Sequence, residues 1–436
     1  MDRDSDIAGM RLRVHLPLRL VAMVLMLSSL FLSGIPLVSA QDRQAIERDF
    51  TAFLDTVRTD ALAQGISEKT IKSAFATIKL DWSLPDLSIP GRDSQKSTRK
   101  KKRRQPEFDR PGRYFPEKRL NSLTATGKRK WSEIKQTMDE IENRLGVEAE
   151  IVLAIWGRET AFGSYRMRHD VFQALATQAF MGNRKSYFHP QLMLALKILD
   201  EGHAARSQMR SSWAGAMGFT QFLPSDFTDY AIDFDGDGRA NIWSSVPDAL
   251  ASAGNALKVN GWQSGVTWGY EVRRPAGFDC TLEGPENRRP LSKWKDLELV
   301  RSFGRDFPSD RLDMEAVLLT PTGHKGPAFL VLDNFFVLKT YNFSNLYALY
   351  VGNLADRIQG GGAFESKWPT VAAFSRDEVR QMQRQLTTMG FSVGKIDGII
   401  GPLTRVAVGK YQRRNKLDVT CFPTRKLFNT ILKSNG

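Results

Sequence analysis

The chain has 436 residues, 42% of them hydrophobic and 25% charged, which excludes general disorder and leaves room for two or three domains with real cores. Its net charge of +14 favours a polyanionic partner: nucleic acid, an anionic membrane or an acidic cell-wall polymer. Charge alone does not choose among these.

The N-terminus narrows the choice. Arg11, Arg13 and Arg19 precede the apolar run Leu20–Leu32, and Val38-Ser39-Ala40 is a small-x-small cleavage pattern before Gln41. The uninterrupted apolar run is short for a membrane span. The pattern predicts a cleaved export signal over 1–40, without a lipid-accepting cysteine. The three acidic residues before Met10 fit a basic leader badly and make Met10 an alternative start.

Residues 41–80 carry Phe50, Phe53, Leu54 and Val57 at helical spacing, with Gly65-Ile66-Ser67 as a cap. Residues 81–91 hold two prolines, Pro85 and Pro90, and read as irregular. The basic run Lys96–Arg104 is either a solvated loop or a patch that holds an anionic polymer by charge. A long amphipathic helix is expected over Leu120–Gly146, with Trp131, Ile134, Met138 and Ile141 on one side. Next comes Ile151–Tyr165, where Val152, Ile155, Trp156 and Glu159 recur at i, i+3, i+4 and i+7. One carboxylate therefore lies on the stripe that should face the core. A buried carboxylate neutralises, pairs or does chemistry; Arg158 or Arg166 could pair it. Further helices are expected over Val171–Phe180 and Pro190–Glu201.

The small-residue stretch Ser211–Gly218 followed by Phe219–Ser225 allows backbone to approach a ligand or a packed helix closely. Asp233-Phe-Asp-Gly-Asp-Gly238 fits the start of a calcium loop, with acids at positions 1, 3 and 5 and glycine at 6. Arg239 would offer its carbonyl at position 7 and Asn241 could serve position 9. Position 12 is Ser244 rather than glutamate, and Asp248 could close a longer loop; an ordinary Asp/Gly turn is the alternative. A helix is expected over Asp248–Asn260. Between Tyr270 and Val337 short β-rich runs such as Glu315–Thr320 and Ala328–Leu332 predict a small antiparallel insertion. Tyr341–Tyr347 leads into another helix with aromatic and amide groups suited to sugars or to a packed corner. Cys280 and Cys421, without a zinc pattern, could pair or remain two thiols.

Several ordered blocks carry a resemblance: Trp156–Gly163, Ser212–Pro224, Asp233–Gly238 with Asn241-Ile-Trp243, and Tyr341-Asn342 with Ser344 and Tyr347. With them, residues 41–362 resemble the lytic murein transglycosylase B family, glycoside hydrolase family 103. The tail resembles a type 1 peptidoglycan-binding module through Leu386, Met389-Gly390, Gly394, Ile396-Asp-Gly398, Gly401, Thr404, Ala407-Val408 and Tyr411-Gln412. It departs from that pattern at Val419-Thr-Cys-Phe422, which stands in place of a glycine-containing turn.

The resemblance implies a mainly α (α+β) protein: a lysozyme-like transglycosylase core with a small antiparallel β insertion, a linker over 363–374, and a three-helix module over 375–436. It implies cleavage of the β-1,4 bond from N-acetylmuramic acid to N-acetylglucosamine with a 1,6-anhydromuramoyl product. Glu159 would be acid and then base. Ser212, Gln221, Tyr341, Asn342 and Tyr347 would line the cleft. Asp233, Asp235, Asp237, Arg239 and Asp248 would hold a structural Ca2+, and no catalytic cofactor is expected. The expected partner is peptidoglycan rather than nucleic acid, for a monomer without a transmembrane anchor, exported to the periplasm. A hydrolytic muramidase and a non-catalytic wall-binding protein are the alternatives.

Overall fold

The computed structural model describes residues 40–89 and 111–434. All of the leader but its last residue, and the basic run Lys96–Arg104, lie outside them. No described helix is long and apolar enough to cross a membrane.

The chain is predominantly helical. Helices α1 (Ala40–Ala63) and α2 (Glu68–Phe75) are separated at Gly65, whose φ of +84° is left-handed, and Ser67 caps α2 by accepting the Thr70 N–H at 3.2 Å. The long helix expected over Leu120–Gly146 is instead two, α3 (Glu117–Glu133) and α4 (Lys135–Leu145), broken at Ile134 with φ −122° and ψ 28°. Each half packs on a different partner: α3 on α12 (Asn345–Ile358), α4 on α9 (Val246–Val259). A straight rod could not follow both.

Helix α5 (Ala149–Thr160) is the centre of the core. Ile151 to Trp156 are all buried, and it packs on α3, α4, α9 and α12. A helix covered on nearly every side needs no polar face. Helix α6 (Val171–Met181) pairs with α7 (Lys185–Asp200). The latter starts five residues before the expected Pro190. The ring is tolerated because Pro190 is exposed, as is Ser186, whose carbonyl is left without its helical donor. Strands β1 (His169–Asp170) and β2 (Arg210–Ser211) form a two-residue antiparallel pair, and α8 (Pro224–Tyr230) packs on α7 and α9.

The β insertion is a five-stranded antiparallel sheet in the order β4-β6-β7-β3-β5. Its strands are β3 (Gly269–Arg273), β4 (Arg289–Pro290), β5 (Val300–Arg301), β6 (Glu315–Leu319) and β7 (Ala328–Val331); α10 (Leu291–Asp296) follows β4. Alternation sends Val317, Leu319, Phe329 and Val331 into the α5 core and Ala316, Leu318, Ala328 and Leu330 into a second core around Trp294. Helix α11 (Asp333–Tyr341) then leads into α12.

The C-terminal helices α13 (Arg376–Thr388), α14 (Pro402–Arg414) and α15 (Arg425–Lys433) close over their own core of Met382, Leu386, Val408, Tyr411 and Ile431. Cys280 and Cys421 form a disulfide across 141 residues, tying these helices to the β insertion. Beside it Arg405 grips Glu283 through two nitrogens; the residues are 2% and 0% exposed. The Val419–Phe422 departure is the docking segment itself: Cys421 takes the left-handed φ of +52°, and the Thr420 carbonyl accepts the His324 N–H at 2.9 Å.

Candidate active site

Glu159 sits in the last turn of α5, half-buried. Immediately after it Ala161, Phe162 and Gly163 all have positive φ (49°, 57° and 77°), a hard turn that stops the helix and leaves the carboxylate at a cavity wall. Only glycine fits at 163, because a Cβ there would lie 2.9 Å from the Phe219 ring. Thr160 holds the turn: its hydroxyl accepts the Gly163 N–H and donates to the Phe219 carbonyl at 3.2 Å.

The partner of Glu159 is a tyrosine. Tyr347, in the first turn of α12 and 1% exposed, donates its hydroxyl to Glu159 Oε1 at 2.6 Å. Burial raises the Glu159 carboxyl above its ordinary range; the Tyr347 hydrogen bond and the Arg158 charge pull the other way. Arg158, which was a candidate ion-pair partner, donates to the Tyr114 hydroxyl at 2.8 Å and lies 4.9 Å from the Tyr114 and Tyr350 ring centres. The guanidinium is thus held over aromatic rings, near Glu159 without gripping it.

The cavity beside Glu159 has a volume of about 410 Å³ and is lined by Arg119, Arg158, Tyr165, Asn342 and Tyr347, with Ala161 and Ser164 at the turn. Glu159 is the only acid among these residues. Tyr341 lies one layer behind, stacked on Tyr347 with ring centres 6.3 Å apart and planes at 9°, its hydroxyl donating to the Thr220 carbonyl at 2.7 Å. Besides Tyr341, two further residues expected at the cleft do not line this cavity. Ser212 Oγ accepts the Ala214 and Ala216 N–H groups and so shapes its own loop, while Gln221 donates to the Gly218 carbonyl and Met167 sulfur. Arg119 and Tyr114 were missed, because no spacing rule links the start of α3 to the end of α5. Tyr165 and Ser164 were within the singled-out stretch, but nothing there marked which way they point.

The Asp/Gly loop brings Asp233, Asp235, Asp237 and Asp248 together, with one oxygen of each within 4.8 Å of the others. No lysine or arginine among the described residues pairs with them. Asp233 accepts the Gly236 and Gly238 N–H groups, and Asp248, fully buried, accepts those of Phe234, Asp235 and Asn241. A carboxylate oxygen has two lone pairs, so each still has capacity for a hard cation. The donor set therefore fits calcium, with Asp248 also serving as the loop's backbone anchor. The loop bears on the cavity: the Ile242 carbonyl accepts the Phe219 N–H at 2.9 Å, next to the Thr220 that holds Tyr341.

Residues 49–356 match the family described as the transglycosylase SLT domain, and residues 375–431 match a peptidoglycan binding domain. The chain is 30% identical over 241 residues to the membrane-bound lytic murein transglycosylase B of Escherichia coli, a match covering 52% of this chain and 62% of that relative. Among solved structures it is similar to SltB3 from Pseudomonas aeruginosa in complex with NAG-anhNAM-pentapeptide, with 40% identity and a TM-score of 0.78 over 88% of this chain and 99% of the other. The same protein in complex with NAG-NAM-pentapeptide matches equally well. SltB1 from the same organism is 26% identical, with a TM-score of 0.54 over 71% of this chain and 98% of its own.

Proposed function

The chain belongs to the SLT transglycosylase family, and from that premise we propose that it is a lytic transglycosylase. It cleaves the β-1,4 bond between N-acetylmuramic acid and N-acetylglucosamine in peptidoglycan and leaves a 1,6-anhydromuramoyl end. The observation that carries this reading is a single carboxylate, raised in pKa by burial, at the wall of a cavity that no second acid among the described residues lines. Two-carboxylate glycosidases need the second group as nucleophile or base. Intramolecular attack does not.

Glu159 starts protonated and gives its proton to the glycosidic oxygen as that bond breaks. The carboxylate so formed accepts the Tyr347 hydroxyl and is stabilised by the Arg158 charge. It then takes the proton of the muramoyl 6-hydroxyl, whose oxygen bonds to the anomeric carbon. No water is consumed, and Glu159 ends protonated as it began. Asn342 is the amide that faces the sugar, and Tyr341 supports Tyr347 from behind. Calcium held by Asp233, Asp235, Asp237, Asp248 and the Arg239 carbonyl would neutralise the loop's charge and stiffen it. The chain acts after export to the periplasm, and its C-terminal helices hold the wall.

Mass spectrometry of digested peptidoglycan tests this. Product ends one water lighter than reducing ends are expected, and reducing ends alone would show hydrolysis instead. A folded Glu159→Gln variant should lose turnover by at least a thousandfold. Retained turnover would make the glutamate structural and the protein a wall binder.

A further inference from the structure

A cavity larger than the one at Glu159 lies elsewhere in the described residues. It has a volume of about 570 Å³ and opens between β3, the segment after β5 and the C-terminal half of α12. It shares no lining residue with the Glu159 cavity. Asp356, on its floor, is nine residues beyond Tyr347 on α12, which is roughly 13 Å along the axis and half a turn out of phase. The two cavities therefore lie on opposite faces of the same helix.

Its chemistry is specific. Arg301 and Arg305 stand close enough for each charge to act on the other, and neither forms an ion pair among the described residues. Arg301 is already ordered: its guanidinium lies 4.6 Å from the Tyr270 ring centre and donates to the Asp306 carbonyl at 2.8 Å. Phe303 stands 57% exposed beside them, its backbone N–H fixed on Glu365 at 2.9 Å. Across the cavity the Asp356 carboxylate accepts one hydrogen bond, from Trp268 Nε1 at 3.3 Å, and remains open to solvent through the mouth. Protein on its other sides pushes its carboxyl up to about 6, against the pull of the two arginines.

Two neighbouring guanidiniums without a carboxylate are a receptor for one. An opposed acid accepts N–H groups. A neutral sugar would need the aromatic walls but not the arginine pair. A nucleic acid would bring phosphate toward Asp356 and Glu271. A short peptide with a free carboxylate satisfies both sides at once. We propose that this cavity is a second substrate site, which binds the carboxylate-bearing stem peptide of a peptidoglycan strand adjacent to the one being cut. The proposal rests on the assignment of peptidoglycan as substrate, and it adds recognition of a second strand behind the catalytic helix.

The test uses the full-length Glu159→Gln protein and calorimetric titration at low salt with a glycan-free stem pentapeptide. Binding is expected, weakened at least tenfold by amidating the peptide's carboxylates and equally by R301A/R305A. Asn342→Ala, in the other cavity, should leave the affinity unchanged, and peptide-free NAG-NAM should bind the arginine variant as it binds the parent, which shows the variant folded. Asp356→Asn provides a milder second variant, expected to weaken the free peptide several-fold. Absence of peptide binding overturns the proposal. So does affinity that survives loss of both arginines, or is lost in Asn342→Ala, since either places the peptide elsewhere. The digest of cell wall reads the catalytic assignment independently, so the two fail separately.

Discussion

Tyr347 is the residue on which the acid chemistry turns. Its hydroxyl donates to Glu159 at 2.6 Å, and a hydrogen bond to a charged group is worth ~1.5–3 kcal/mol. That bond favours the ionised carboxylate, against the burial that favours the acid. Tyr347→Phe keeps the ring stacked on Tyr341 and removes only the donor, so the Glu159 pKa should rise further. Glu159 must begin protonated, so the alkaline limb of the rate profile should move up by about one pH unit while the maximum rate falls roughly tenfold. A limb that stays put or moves down would show that another group sets it. Glu150, at the other end of the same helix, is pushed up to about 7 by burial, reinforced by Glu142, Glu148 and Asp356. Its folded pKa is above its unfolded value, so the fold holds the proton more tightly. The stability this gives is complete below pH 4.5 and lost as pH rises through about 7. Glu150→Gln cannot ionise. It should match the parent at pH 4 and exceed it at pH 8 by ~1–2 kcal/mol in denaturant unfolding, after screening at a half-buried group.

At the scale of the elements, periodicity located the helices, and short β-rich runs between turns located the sheet. Both patterns report burial, and burial is what these elements share. The misplaced boundaries have other causes. Ile134 lies on an unbroken apolar stripe, so only the divergent partners α9 and α12 reveal that the helix must bend there. Glu159 was legible as an awkward acid on a core stripe, but its partner lies 188 residues away, and spacing cannot see that far. Ser212 was placed at the cleft by resemblance, and its hydroxyl is taken by two backbone N–H groups of its own loop. The Asp/Gly loop was the clearest local signal, because a hard cation demands acids at fixed intervals. It connects to the cavity through Phe219 and Thr220, so calcium should matter at a distance. Calcium at a hundred times its dissociation constant should stabilise the fold by ~2.7 kcal/mol, and chelation should lower the melting temperature. Asp237→Asn should abolish most of that difference. Identical melting curves with calcium and with chelator, in the parent, would identify the loop as a plain turn.

For the whole molecule, the decisive feature is that the C-terminal helices are fixed to the β insertion rather than tethered. The segment leading to them is itself packed, with Trp368 stacked on Phe115 at 4.9 Å between ring centres. The Cys280–Cys421 disulfide and the Glu283–Arg405 pair then lock the contact. Two cysteines 141 residues apart could not be paired from sequence, nor could a buried arginine be matched to its acid 122 residues away. The two locks should respond differently to removal. A buried ion pair costs desolvation on both sides, so its net worth is small, but a lone buried charge costs ~3–5 kcal/mol. Arg405→Ala leaves Glu283 without its guanidinium in a site that is 0% exposed, where among the described residues Thr320 alone still donates to it. That variant should lose stability by about this amount, whereas Glu283→Gln with Arg405→Met should recover most of it. Removing the disulfide by replacing both cysteines with serine should cost up to ~4–5 kcal/mol on the chain-entropy account, and should cost it whether or not the ion pair is present. Additivity of the two effects in denaturant unfolding would mean that the disulfide acts on the unfolded chain and the pair on the docked face. Strong coupling would mean that the serines alone undock the helices, exposing Glu283 and Arg405 to water and removing the penalty of Arg405→Ala.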